Sequence, residues 1–146
     1  MSAGMATGLE LATGAECVLG VVEFTPVDLF LFSAAGWHPH RIHYDLPYAE
    51  SEGHPTLVVH GPLQAVHLFQ ALVPALPAGV RVVRTTYRHR APLYLGAPAT
   101  MHAAVTAVHD GAATVEVWFT DAEGTITTSG VAAVQVTTDA APASGR

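Results

Sequence analysis

A chain of 146 residues that is half apolar and only 12% charged has the material for one domain with a real core and too little charge for a disordered body. Its net charge is −6, with six Arg, no Lys and twelve acidic residues, which excludes the dense basic footprint of a nucleic-acid binder. The single cysteine, Cys17, excludes an intrachain disulfide and a Cys-based zinc site, and its apolar surroundings predict a buried, inert thiol. Low charge with abundant apolar residues predicts apolar surface shared between copies, as a homodimer or a higher oligomer. No signal-peptide pattern is present and no apolar run approaches the ~20 residues that span a bilayer, so the expectation is a cytoplasmic protein away from membranes.

Residues 1–14, rich in Ala, Gly, Ser and Thr, read as a loose N-terminal arm. Val- and Leu-rich residues 15–23 predict a first strand. Thr25-Pro26 supplies a helix start, Thr as cap and Pro at the first helical position, for a short helix Val27–Ala35 that Gly36 stops. Residues 37–45 are dense in His, Pro and Asp and read as a loop, and Asp45-Leu46-Pro47 opens a short helical turn through Glu50. After Gly53-His54-Pro55 comes an extended piece, Thr56–Val59. Gly61-Pro62 then begins the main helix, closed by Pro74 and Pro77. This helix is apolar around most of its circumference, which predicts burial.

Strands follow at 79–91, 99–109, 112–120 and 125–137, with Asp110-Gly111 as a tight hairpin turn. Residues 138–146 read as a disordered tail, leaving one domain at 15–137. A long helix packed by an antiparallel meander is an α+β arrangement.

Two blocks carry a family resemblance. The first is Phe32-Ser33-Ala34-Ala35-Gly36-Trp37-His38-Pro39-His40-Arg41-Ile42-His43-Tyr44-Asp45; the second is Leu57-Val58-Val59-His60-Gly61-Pro62-Leu63-Gln64-Ala65. A weaker third runs from Tyr87 to Gly96. Together they resemble MaoC-like acyl-thioester dehydratases and hydratases, in the branch of 3-hydroxyacyl-thioester dehydratases and mesaconyl-coenzyme A hydratase. The resemblance implies a hotdog fold, an antiparallel sheet wrapped around a long central helix. It also implies hydration or dehydration of an enoyl or 3-hydroxyacyl thioester. Coenzyme A or the phosphopantetheine of an acyl carrier protein would be part of the substrate, with no separate cofactor. His38 is a departure: that branch has Asn here, and the wider (R)-specific hydratases have a catalytic Asp five residues before the catalytic His.

The chemistry needs a base and a group that holds enolate charge. His43 is the expected base, because imidazole titrates near neutrality. The Gly61 N–H, at a helix start, is the expected oxyanion donor; Pro62 has none, so Leu63 supplies the next. His38 is either a substitute acid/base or a solvent-exposed loop residue. Arg41 either contacts substrate or pairs with an acidic neighbour. His60 caps the helix or lines the pocket, and Gln64 either satisfies the core or contacts substrate. His40 reads as a loop brace and Asp45 as a helix cap. His38, His40 and His43 lack a ligand spacing, so no metal is expected. The cluster Arg81, Arg84, Arg88 and Arg90 reads either as solvated arginines on a strand edge or as contacts to the phosphates of a coenzyme or carrier arm. Three functions are open: the hydratase or dehydratase; a thioesterase or a catalyst of conjugate addition to an enoyl thioester; and a non-catalytic acyl-binding subunit.

Overall fold

The computed structural model describes residues 8–137. Its elements run β1 (Glu16–Val22), α1 (Pro26–Ala35), a 3-10 turn (Arg41–His43), α2 (Leu46–Ser51), α3 (Gly61–Ala75), β2 (Val80–His89), β3 (Ala99–His109), β4 (Ala112–Thr120) and β5 (Ile126–Val136). The five strands form one antiparallel sheet in the order β1-β3-β4-β5-β2. This is the expected α+β hotdog, with α3 packed on every strand of the sheet.

Strand alternation decides which residues meet the helix. Met101, Ala103 and Val105 of β3, Val115, Val117 and Phe119 of β4, and Ala132 and Val134 of β5 are buried against Leu63, Leu68 and Leu72 of α3. Small residues bring sheet and helix close: a Cβ on Gly130 would stand 3.0 Å from the Phe69 ring. A bulge or register shift in each strand pair bends the sheet around the helix. The β3–β4 hairpin turns at Asp110 and Gly111, both at positive φ (47° and 74°), as a two-residue turn of this handedness requires.

Three expectations need correction. Residues 8–14, read as part of a loose arm, are tied down: Leu9 is 2% exposed, its N–H bonds to the Ala75 carbonyl, and Gly14 N–H bonds to the Val105 carbonyl; residues 1–7 lie outside the described residues, as does the tail 138–146. The long helix is not buried all round, since Val66 is 43% and Val73 58% exposed. It also runs through Pro74 to Ala75, because a proline in the last turn forfeits only one hydrogen bond. Cys17 is half-buried rather than buried, and burial raises its thiol pKa.

Candidate active site

Local chemistry sets the two loops that meet at the start of α3. Thr25 and Asp28 form a reciprocal capping box that starts α1. At its far end Trp37 takes a left-handed conformation, φ 51°, and His38 N–H returns to the Ser33 carbonyl, a helix-ending geometry usually given to glycine. Gly36 lets the His38 ring fold back: a Cβ there would stand 2.6 Å from His38 Nδ1. The ring stacks on Phe32, centroids 5.4 Å apart.

The 3-10 turn is capped by His40, whose Nδ1 accepts the Ile42 N–H. Asp45 caps α2 by accepting the Tyr48 N–H and pairs with Arg41 at 2.6 Å. Arg41 is thus committed to an exposed ion pair and to the Tyr48 ring, 4.4 Å away. Val58 N–H bonds to the Ile42 carbonyl, while Val59 and Leu57 are tied to Leu93 and Leu95. The segment leading into α3 is therefore held from both sides.

This bracing defines His43. Its Nδ1 lies 2.7 Å from the Val58 carbonyl oxygen. A carbonyl only accepts, so Nδ1 carries the proton and Nε2 keeps the lone pair. Burial lowers the pKa of His43, against an opposing hydrogen bond from Val58, and neighbouring His40 and His38 lower it further. The ring is neutral at pH 7, a base with its free nitrogen unprotonated.

His60 lies flat against it, ring centroids 3.7 Å apart and planes 21° apart. His60 occupies the cap position of α3 but makes no side-chain cap bond; its Nε2 lies 2.8 Å from Ser33 Oγ instead. It is 1% exposed, and burial, then His43 and His38, pushes its pKa down to about 4. Nδ1 atoms of both His60 and His38 are buried with no hydrogen-bond partner among the described residues.

Gly61 follows directly, so the His43 ring stands at the helix start. A Cβ on Gly61 would fall within the His89 ring; His89 covers this glycine from the end of β2. The polar support beneath is continuous. Gln64 is buried, donates to the Val59 carbonyl, and accepts hydroxyls from Thr127 and Thr128 at 2.8 and 2.9 Å. Because Thr128 gives its proton to Gln64, its oxygen accepts from His89 Nδ1 at 3.3 Å. Gln64 is engaged at both ends as a brace between helix and sheet. The Leu63 side chain belongs to the core, leaving its N–H as the contribution it can make.

Among the expected site residues, the rings of His38 and His43 both meet His60, which directly precedes Gly61 in the chain, whereas Arg41 sits on the surface and Gln64 beneath. Ser33, His89 and Thr128 join them without having been singled out as site partners from sequence. Their pairings span 27 and 39 residues, and only the sheet and the α1–α3 packing create them. An apolar pocket of about 190 Å³, lined by Phe30, Ser33, Trp37, His38 and Tyr44, lies on one side. A groove of about 500 Å³ runs from Pro62 along Val66, Phe69 and Val73 to Tyr87 on the other. Neither His43 nor Gly61 lines either of them. No three His, Cys, Asp or Glu side chains among the described residues are placed to share a metal ion, and no described helix is long and apolar enough to cross a membrane.

A neutral imidazole with a fixed tautomer, beside a helix start with unbonded N–H groups, can move a proton and hold an anion. Known proteins resemble the chain in sequence and in fold. The mesaconyl-C(4)-CoA hydratase of Chloroflexus aurantiacus is 42% identical over 93 residues, which cover 63% of this chain and 32% of the relative. This chain thus spans about a third of that protein's length. Among solved structures, the unliganded R-hydratase of Pseudomonas aeruginosa superposes with a TM-score of 0.79 at 20% identity, covering 91% of this chain and 88% of that one. The (R)-hydratase of A. caviae does so with 0.75 at 22%, covering 87% and 98%. The MaoC-like dehydratase of Rhodospirillum rubrum gives 0.73 at 19%, covering 87% and 93%; at these identities the likeness establishes the fold. Residues 13–95 match the family described as hydroxyacyl-thioester dehydratase type 2, and the chain belongs to that family.

Proposed function

We propose that this chain catalyses the reversible addition of water to an enoyl thioester, as a hydratase or dehydratase of the lyase class. The observation that carries the reading is the His43 imidazole. Its tautomer is set by the Val58 carbonyl, and its ring is stacked on the residue that precedes the α3 N-terminus. In hydration, His43 Nε2 takes a proton from water and the water oxygen bonds to the β-carbon. The π-electrons move onto the thioester oxygen, where the Gly61 N–H, with Leu63 next in line, stabilises the enolate. The proton then passes from His43 to the α-carbon, and dehydration runs these steps backwards. His60, neutral and flat against His43, keeps a second positive charge from building beside the imidazolium. His38, where relatives carry Asn or Asp, is the candidate second acid/base group. The handle is coenzyme A or an acyl carrier protein.

A second copy of the chain is the partner that suits the molecule. The unpaired edge of β2, exposed Val83 and Tyr87, and the exposed Val66 and Val73 of α3 present apolar surface that a homodimer would cover. Following crotonyl-coenzyme A by its enoyl absorbance tests the reaction: absorbance falls as water adds. Release of free thiol at the same rate would instead make the protein a thioesterase and overturn the reading.

A further inference from the structure

The outer face of the sheet carries a second cluster that the water-addition chemistry does not use. Arg88 lies opposite Ser129, Ser129 opposite Trp118, and Trp118 opposite His102, one row across four strands. His102 is parallel to the indole, centroids 5.2 Å and planes 7° apart, and is pinned by Thr120 Oγ1 at 2.9 Å. The indole is thereby backed on the β3 side, and its other neighbours in the row are Ser129 and Arg88. Arg90 Nε donates to Ser129 Oγ at 3.0 Å, which places a second guanidinium at the same rim. Arg88, Arg90, Trp118 and Ser129, with Glu116, line a depression of about 730 Å³ whose floor includes Ile126 and Val131, within the size range of small-molecule sites.

Charge is concentrated here against the trend of the molecule. Four of its six cationic side chains fall within residues 81–90, in a chain of net charge −6. None of the four makes an ion pair among the described residues. The depression thus offers an aromatic platform with an aliphatic floor, two guanidiniums for anionic oxygens, and one carboxylate, Glu116, to accept from an amine. An acidic peptide would leave the indole unused and would meet Glu116 as a like charge. An adenine nucleotide matches all three: its base stacks on Trp118, its exocyclic amine faces Glu116, and its phosphates reach Arg88 and Arg90.

Position connects this site to the other. Consecutive strand residues face opposite ways, so His89 turns inward onto Gly61 while Arg88 and Arg90 line the outer depression. We infer that the depression binds the nucleotide end of a coenzyme A thioester, whose flexible arm passes around the end of β2 to the start of α3. The identity of what the nucleotide carries rests on the thioester reading above; the nucleotide binding does not.

Calorimetry with adenosine 3′-phosphate 5′-diphosphate, the nucleotide half of coenzyme A without its arm, tests the site directly. It should bind once per chain, and Arg88→Gln should weaken it about tenfold, the loss of one charge-assisted contact. In a Trp37→Phe background, whose one remaining indole is Trp118, binding should quench fluorescence. The same Arg88→Gln change should raise KM for crotonyl-coenzyme A about tenfold with little change in kcat, and leave KM for crotonyl-pantetheine, which lacks the nucleotide, where it was. No nucleotide binding, or pyrophosphate binding equally well, would overturn the assignment. So would nucleotide binding weakened by the substitution while KM for the coenzyme A thioester stays put, which would mark a site for a free nucleotide. Nucleotide binding with no turnover of any enoyl thioester would sink the hydratase reading and leave the nucleotide site standing.

Discussion

Two ring stacks, one beside the helix start and one on the outside of the sheet, show what burial adds when an imidazole lies flat on another ring. Half-buried His43 and buried His60 meet at 3.7 Å where the 3-10 turn, α1 and the start of α3 come together. His102 and Trp118 lie parallel at 5.2 Å on the open face of β3 and β4. Burial lowers the pKa in both places, but in the inner pair it acts on two histidines that also repel each other when charged. The partners differ as well. A backbone carbonyl dictates which nitrogen of His43 holds the proton, whereas the Thr120 hydroxyl beside His102 can give or accept. The inner pair holds its proton on a fixed nitrogen; the outer one presents a flat surface.

The largest effect should come from removing the base. His43→Ala should lower kcat for enoyl hydration by about 10²–10⁴, read at saturating substrate; unchanged turnover would erase the distinction between the two stacks. Acid should next expose the inner pair. His60 titrates near 4 when folded and near 6.5 when free, so the unfolded chain binds the extra proton between those values. Its contribution is complete above pH 6.5 and is lost as pH falls toward 4, roughly 3 kcal/mol in all. Urea midpoints at pH 7.5 and 4.5 should therefore diverge strongly in the wild type and less in His60→Asn. An equal drop in both proteins would mean that His60 does not carry the acid sensitivity.

Some of this was legible in the chain. Thr25-Pro26 and Asp110-Gly111 announce their helix start and turn because each is a local device, complete within four residues. The block around His43 and Gly61 announces the glycine that opens α3, while the stacking of His43 on His60 is a tertiary contact. What could not be read is made by tertiary pairing. Ser33 finds His60 only because α1 folds back on α3, and His89 reaches Gly61 only because β2 ends where β5 supplies Thr128. Apolar composition overstated the burial of α3, since residues that cover a core and residues that meet a second copy have the same chemistry. Leu9 escaped notice because Leu9-Glu10-Leu11 is too short a run to establish a period.

Smaller perturbations sharpen the contrast. Gly61→Ala forces a methyl into the His89 ring and should cost about 1–3 kcal/mol, with turnover falling as the helix start shifts; the unfolding midpoint and kcat should move together. A neutral result would show that His89 swings away freely. Smallest is Trp37→Gly, which relieves the left-handed backbone at a side chain 85% exposed. It should raise stability by roughly 0.5–1 kcal/mol, the steric relief less the added chain entropy, measured by thermal melting. A loss would show that the indole is held in place by contacts worth more than the strain.

The last turn of the molecule's edge strand has a further implication. Along β2 a single backbone assigns alternate residues to two unlike faces, His89 against the start of α3 and Arg88 and Arg90 on the outer side of the sheet. A one-position slide against β5 would exchange them, driving guanidinium groups beneath α3 and expelling His89. The irregularity between Val82 and Arg84 breaks the translational symmetry that such a slide needs. Insertions or deletions between that kink and Arg90 should therefore be far more damaging than equally small changes in the preceding loop.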